Sequence, residues 1–267
     1  MSRIAATFQR LAAERRAGLI PYLTAGDPDL ATTRDCVLAA ADAGADLLEL
    51  GVPFSDPMAD GPVIQRSAVR ALAANTSLHR VLELVAELRP RIEMPIVLFG
   101  YYNPFLQYEL GALARDAATA GADGFLCVDA PPEEAGDLRS AAHANGLDLI
   151  PLLAPTTPSA RARAIARMAS GFLYFVSVLG VTGARDRLPP ELPEMIARVR
   201  RVTTLPIGVG FGVQTPEQAG WVASFADAVI VGSALVRELE AGAAADAPAR
   251  VGRLVASLRT GMRAAGR

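Results

Sequence analysis

Leu47-Leu48-Glu49-Leu50-Gly51-Val52-Pro53-Phe54-Ser55-Asp56-Pro57-Met58-Ala59-Asp60-Gly61-Pro62 joins an apolar run of strand length to a turn-rich segment and then to a helix. Pro62 opens the helical pattern Val63–Ala74 from the first-turn position that proline favours. Alternation along a strand puts Leu47, Glu49 and Gly51 on one face and Leu48 and Leu50 on the other. A carboxylate in so apolar a run must be paired, hydrated or protonated, because burying it charged and alone is costly. A lone Glu is commonly satisfied by an arginine or a backbone N–H. Here Asp56 and Asp60 follow it in the turn beyond the strand's C-terminal end. Three carboxylates at one strand mouth point to a catalytic floor.

The unit of strand, turn and helix recurs along the whole chain. Candidate strands are Leu19–Thr24, Leu47–Gly51, Ile96–Tyr101, Gly124–Val128, Leu147–Leu153, Gly171–Ser177, Leu205–Gly210 and Ala228–Val231. Helical patterns lie between them: Leu30–Ala43, Val63–Ala74 with Ser77–Leu88, Phe105–Ala120, Pro132–Ala144, Ser159–Ser170, Leu192–Val202 and Pro216–Ser224. Ala247–Ala265 follows the last strand. Strands separated by helices imply crossover connections and a parallel sheet. Eight such units in 267 residues fit an α/β fold of the (β/α)₈ barrel type, as one domain spanning residues 1–267. An open doubly wound sheet is the rival. Ile4, Phe8 and Leu11 mark an extra amphipathic helix before the first strand. Ala43-Gly44-Ala45-Asp46 and Ala120-Gly121-Ala122-Asp123 each close a helix and lead into a strand, with the glycine placed for a left-handed helix cap. Pro21 and Pro151 weigh against their strands, since proline donates no ladder hydrogen bond.

Composition narrows the chemistry. Charges interrupt every long apolar stretch, so no membrane span is expected, and the N-terminus has no signal-peptide pattern. The cytoplasm is the expected compartment. A net charge of −2 lacks the basic face that nucleic acid requires. Cys36 and Cys127 form no metal or redox motif and read as buried thiols. His79 and His143, the two histidines, both fall in helical surroundings. All 26 basic residues are arginine. Without lysine the chain can form neither a Schiff-base aldolase intermediate nor an internal pyridoxal phosphate (PLP) aldimine.

The last two strands end in Gly208-Val209-Gly210-Phe211-Gly212 and Val231-Gly232-Ser233, each ahead of a helical pattern. Barrels often bind phosphate at these two loops, through backbone N–H groups and a helix N-terminus. Tight turns at a crowded rim are the plainer reading of one glycine pair, but two pairs with Ser233 in the expected place favour phosphate. Gly183, on the sixth loop, can complete the ring. Tyr22, Phe99, Tyr101, Phe125 and Tyr174 fall on interior strand positions, as core or as walls for a flat aromatic substrate. Asn103 and Asp129 lie just beyond two strand ends, as rim caps or polar pocket groups. Glu49, Asp56 and Asp60 also have the oxygens to hold Mg²⁺, although an apolar strand around Glu49 favours a raised pKa instead.

The segment Leu48–Gly61 resembles the signature of the tryptophan synthase alpha subunit. The likeness continues through Pro21-Tyr22-Leu23-Thr24-Ala25-Gly26-Asp27-Pro28, Gly100-Tyr101-Tyr102-Asn103-Pro104, Val128-Asp129-Ala130-Pro131, Gly180-Val181-Thr182-Gly183 and Gly210-Phe211-Gly212. The resemblance implies a TIM barrel that cleaves indole-3-glycerol phosphate to indole and glyceraldehyde 3-phosphate. It implies no cofactor on this chain, and a PLP-dependent beta subunit as partner in an alpha2beta2 assembly. By the same resemblance Glu49 is the general acid–base and Asp60 pairs with the indole N–H. Tyr22, Phe99, Tyr101, Tyr174 and Phe211 match pocket positions, and Thr182 matches a loop residue that contacts the aspartate. Gly183, Gly212, Gly232 and Ser233 match phosphate positions, and Asp56 and Pro131 match partner-facing ones. The long segment Val178–Pro190 is then expected to act as a lid that the beta subunit helps to close.

Overall fold

The computed structural model describes residues 1–177, 188–210 and 212–264. In chain order the elements are α1 (Arg3–Ala13), β1 (Gly18–Thr24), α2 (Leu30–Asp42), β2 (Leu48–Gly51), α3 (Pro62–Ala73), α4 (Leu78–Leu88), β3 (Ile96–Gly100), α5 (Tyr102–Tyr108), α6 (Leu110–Ala120) and β4 (Gly124–Cys127). They continue with α7 (Gly136–Ala144), β5 (Asp148–Leu149), β6 (Leu152–Leu153), α8 (Ser159–Met168), β7 (Leu173–Val176), α9 (Leu192–Arg200), β8 (Ile207–Gly210), α10 (Pro216–Ala223), β9 (Ala228–Val231), α11 (Ser233–Glu240) and α12 (Ala247–Ala264).

Every strand pairing is parallel, in the order β5-β4-β3-β2-β1-β9-β8-β7-β6. The two ends of this order, β5 and β6, are pieces of one segment. The Ile150 N–H donates to Phe125 on β4, and the Pro151 carbonyl accepts from Tyr174 on β7. The sheet therefore closes through the Ile150–Pro151 link, and eight strand positions form a barrel. This corrects the unbroken fifth strand expected from sequence. Proline has no N–H for the ladder, so regular pairing lapses at Pro151. Pro21 is accommodated differently: its pairing with β9 ends there, and pairing with β2 begins at Tyr22.

Two apolar cores follow from alternation. Leu23, Leu48, Leu50 and Leu98 point outward, into the layer between strands and helices. Ile20, Tyr22, Val97, Phe99, Leu126, Ile150, Phe172, Tyr174 and Ile230 fill the barrel interior. The expected N-terminal helix closes the barrel floor: Ile4, Phe8 and Leu11 join the inner cluster, and Phe8 meets Phe172 with ring centroids 5.5 Å apart. Phe125 does not point inward as its sequence position suggested; it packs outward against Phe105 of α5, at 5.5 Å. The single helix expected over 105–120 is two, broken at Glu109 (φ 76°), whose carboxylate then caps the start of α6. α11 was marked in sequence only as a helical pattern beyond Ser233.

At the floor, a repeated device explains the Gly–Ala–Asp motifs. Gly44 and Gly121 take φ near 96° and 95°, ending α2 and α6. Asp46, Asp123 and Asp227 then accept an N–H at the start of a neighbouring strand, from Leu19, Ile96 and Ile207 respectively. Arginines neutralise all three: Arg16 and Arg259 meet Asp46, Arg3 and Arg89 meet Asp123, and Arg200 meets Asp227. Asp123→Ala orphans a buried N–H and two guanidinium contacts at once. It is expected to lower the unfolding free energy by about 2–4 kcal/mol, read by urea denaturation. A change within about 0.5 kcal/mol, as at an ordinary surface site, would mean that this device contributes nothing.

Candidate functional site

The interior side chains converge at the C-terminal mouth of the barrel, where enzymes of this architecture work. One cavity there is lined by Tyr22, Glu49, Phe99, Tyr174 and Ile230 from the strands, and by Asp60 and Ile64 from the β2–α3 connection and α3. Gly212, Val213, Gly232 and Ser233 line it from the last two loops. Strand register places Tyr22 beside Glu49 and Glu49 beside Val97, with Phe99 one inward layer nearer the mouth.

Two glycines make room for the tyrosines. A Cβ on Gly51 would lie 2.2 Å from the Tyr22 hydroxyl, and one on Gly210 would lie 2.0 Å from the Tyr174 hydroxyl. Gly208 and Gly210 are buried strand residues of β8. They are not the phosphate-facing turn that the glycine-rich sequence suggested; only Gly212 of that run lines the cavity among the described residues. The Tyr22 ring meets Phe99 edge-on, with centroids 5.1 Å apart.

Glu49 is 1% exposed, and neither carboxyl oxygen has a hydrogen-bond partner among the described residues. No arginine among the described residues pairs with it, so none of those satisfies it as a structural Glu is commonly satisfied. Burial alone raises its pKa well above the usual carboxylate range. Asp60 is 7% exposed and accepts a hydrogen bond from the Tyr101 hydroxyl at 2.9 Å. Burial pushes it up to about 6, with the Tyr101 hydrogen bond acting in the opposite direction. The cavity thus holds a carboxyl inclined to stay protonated beside one that ionises near neutrality.

The other expected site residues divide clearly. Tyr101 is buried but lies outside the cavity lining, behind Asp60. It follows β3 as the N-cap residue of α5 and is not a strand residue. Asp56 is exposed and accepts from the Ser55 hydroxyl at 2.5 Å, away from the cavity. That separates it from Glu49 and Asp60, and the three do not form the oxygen cage that Mg²⁺ would need. Pro131 is half-buried in the turn after β4. Asp129 caps a rim turn by accepting from the Tyr102 N–H, and Asn103 is exposed on α5. Thr182, Gly183 and Phe211 lie outside the described residues, as does most of the 178–190 loop. Cys36 and Cys127 are buried free thiols, and burial pushes Cys36 up to about 12.

Sequence reasoning missed Ile64, Val213 and Ile230. Ile64 and Ile230 are apolar residues on regular elements, and Val213 is an apolar residue in the β8–α10 connection; in each place a cavity wall and a core position look alike. Two signals were present: Ile64 stands two residues after Pro62, and Ile230 shares strand parity with Gly232. Among the described residues no helix is long and apolar enough to cross a membrane.

The family model described as tryptophan synthase alpha chain matches residues 8–265. The chain is 51% identical to a tryptophan synthase alpha chain of Geobacter sulfurreducens, across 97% of this chain and 98% of that one. It is 50% identical to one of Geotalea uraniireducens over the full length of both. Among solved structures it is similar to tryptophan synthase subunit alpha of Legionella pneumophila, with TM-score 0.92, 42% identity and 99% of each chain covered. It is also similar to a chain of Mycobacterium tuberculosis tryptophan synthase, with TM-score 0.91, 38% identity and 98% of each covered. The expected (β/α)₈ TIM barrel is the fold of these relatives, and the chain belongs to the tryptophan synthase alpha chain family.

Proposed function

We propose that Glu49 and Asp60 carry the lyase reaction of this family, cleavage of indole-3-glycerol phosphate to indole and glyceraldehyde 3-phosphate in tryptophan biosynthesis. The observation that carries this reading is Glu49, a carboxyl with no partner among the described residues, buried on the inner face of the barrel at its mouth. Breaking the carbon–carbon bond needs somewhere for its electron pair to go. Lysine-free chemistry cannot use an imine, but the indole ring can accept the pair once it is protonated. Neutral Glu49 delivers its proton to indole C3, which leaves an iminium in the ring. Asp60 carboxylate stabilises the positive charge growing at the indole nitrogen. Glu49, now ionised, takes the proton of the hydroxyl next to the breaking bond. The carbonyl forms, the bond's electrons return to the ring, indole leaves, and Glu49 is protonated again. A group that both gives and takes a proton works best with a pKa near the operating pH. Burial of Glu49 moves it in that direction.

Tyr22, Phe99, Tyr174, Ile64 and Ile230 supply a flat apolar slot for the ring. Gly212, in the β8–α10 connection, and Gly232 and Ser233, at the N-terminal end of α11, supply the phosphate end. For Thr182, Gly183 and Phe211 the proposed roles rest on the resemblance alone. No cofactor is assigned to this chain. PLP belongs to the partner, the tryptophan synthase beta chain, in an alpha2beta2 complex that Asp56 and Pro131 face. The proposed compartment is the cytoplasm.

Gly232→Val tests the phosphate end. Gly232 has φ −111°, and a Cβ there meets nothing nearer than 3.6 Å, so a β-carbon fits the empty protein. Affinity for glycerol phosphate compounds is expected to fall at least about tenfold, with affinity for indole unchanged. Equal losses for both, by calorimetry, would place the phosphate elsewhere. Gly212, at φ 92°, is a poor choice for this test, because any branched side chain there is strained without a ligand. The function itself is tested by indole release from indole-3-glycerol phosphate with and without EDTA. Equal rates support the metal-free carboxylate mechanism; a rate abolished by EDTA and restored by a divalent cation overturns it.

A further inference from the structure

We propose that Tyr101 is a positioning residue for this reaction, holding the Asp60 carboxylate in its orientation and in its charged form from outside the cavity. The inference rests on the reading of Asp60 given above. One phenolic oxygen grips two consecutive residues of the catalytic loop: it donates to Asp60 Oδ2 at 2.9 Å and accepts from the Ala59 N–H at 3.1 Å. The Phe54 ring, from the same loop, lies against the Tyr101 ring with centroids 5.3 Å apart and planes inclined by 36°.

The barrel fixes where this hydroxyl sits. Tyr101 is the residue directly after β3 and is 4% exposed. Its neighbour Tyr102 donates its N–H to Asp129 Oδ1 at 2.7 Å, across to the turn after β4. On the other side Gly100 is pressed against the Phe105 ring, where a Cβ would come within 2.7 Å. The loop 52–61 is thus tied at Asp60 to the end of β3 by the Tyr101 side chain, while Gln65 of α3 donates to the Asp60 carbonyl at 2.9 Å. Among the described residues Tyr101 engages Oδ2, which leaves the other oxygen for the indole N–H.

The electrostatic surroundings make the hydroxyl matter. The titratable groups facing Asp60 among the described residues are Glu49 on β2, Tyr22 on β1, Tyr174 on β7 and Tyr101 itself. All are acids, so none can hold the carboxylate ionised by charge. Burial pushes Asp60 towards its neutral form, and the Tyr101 hydrogen bond opposes that. Without the hydroxyl, a larger share of Asp60 is protonated at neutral pH and cannot stabilise a cationic ring.

The test is the titration of Asp60 by carboxyl ¹³C NMR, with the resonance assigned from Asp60→Asn, in wild type and Tyr101→Phe. The expected result is an upward shift of about one pH unit in Tyr101→Phe, and hence about tenfold less ionised Asp60 on the acid side of the transition. The acid limb of kcat should move with it, recovering at higher pH, while KM changes little. On an Asp60→Asn background, Tyr101→Phe should change kcat no further. An unmoved Asp60 titration with a uniform loss of kcat at every pH would mean that Tyr101 only packs the loop, and overturns the proposal. Should Tyr101→Phe fail to fold, 3-fluorotyrosine in place of Tyr101 keeps the hydroxyl as a stronger donor. It should shift Asp60 downwards, and no shift would overturn the proposal equally. If Asp60→Asn itself leaves kcat intact, the underlying reading of Asp60 fails instead, whatever Tyr101 does.

Discussion

Glu49→Gln is expected to lose at least about 10²–10⁴-fold in turnover, the range for removing a general acid–base, while keeping ligand affinity. Gln preserves the volume and can still form hydrogen bonds, but it can neither donate a proton to indole C3 nor accept one from the substrate hydroxyl. No residue stands ready to replace it. The chain has no lysine, and His79 and His143 sit outside the cavity on helical surfaces. The same substitution should stabilise the fold at neutral pH. A carboxyl whose pKa is raised in the folded state holds its proton there while the unfolded chain releases it. That difference favours unfolding increasingly as pH rises above the ordinary Glu value of 4.5. Gln removes the penalty, so the variant's melting temperature should exceed that of wild type at pH 7 and match it more closely near pH 4. A residue kept at a cost to stability is the usual signature of function. Near wild-type kcat in Glu49→Gln would remove Glu49 from the mechanism.

Asp60→Asn should lower kcat by about 10²–10³-fold, as losing one transition-state electrostatic partner does, and leave KM nearly unchanged. The asymmetry follows from timing. In the bound substrate the indole nitrogen is neutral, and an amide oxygen can accept its N–H almost as well as a carboxylate can. The charge that Asp60 stabilises appears only as C3 is protonated, so its removal is felt in the transition state. The pH dependence carries a definite sign. Asp60 must be ionised, so wild-type kcat should fall as pH drops through about 6. Glu49 must begin protonated, so kcat should fall again as pH rises through its elevated pKa. A rise in KM at constant kcat would make Asp60 a binding residue and nothing more.

Legibility of the site in sequence followed the contrast between neighbouring residues. Glu49 was readable because one charged residue interrupts an apolar strand, and Asp60 because a turn with two prolines delivers it beside that strand's end. Phe125 was misread for the opposite reason. Both faces of β4 are buried, so the strand Gly124-Phe125-Leu126-Cys127 offers no polar residue to mark its parity. Its register with Leu98, an outward residue, settles the direction, and register is a property of the assembled sheet. Tyr101 was misplaced when strand alternation was carried one residue past the end of β3 at Gly100. Gly210 closes the expected strand Leu205–Gly210 as part of a glycine-rich end, whereas its lack of a side chain serves Tyr174, a residue 36 positions earlier in the chain. Such a long-range clearance leaves no local trace. The break at Pro151 was foreseeable from the missing donor, but the closure of the barrel across it was not, because it depends on hydrogen bonds to Phe125 and Tyr174.

The central claim is that the buried Glu49 carboxyl is protonated in the resting enzyme and can therefore act first as an acid. Its carboxyl ¹³C resonance, assigned by difference against Glu49→Gln, reports that state directly across a pH titration. The account predicts a protonated Glu49 that titrates well above the ordinary value of 4.5. A resonance that titrates at that ordinary value, leaving Glu49 fully ionised at neutral pH while wild type turns over, would contradict it.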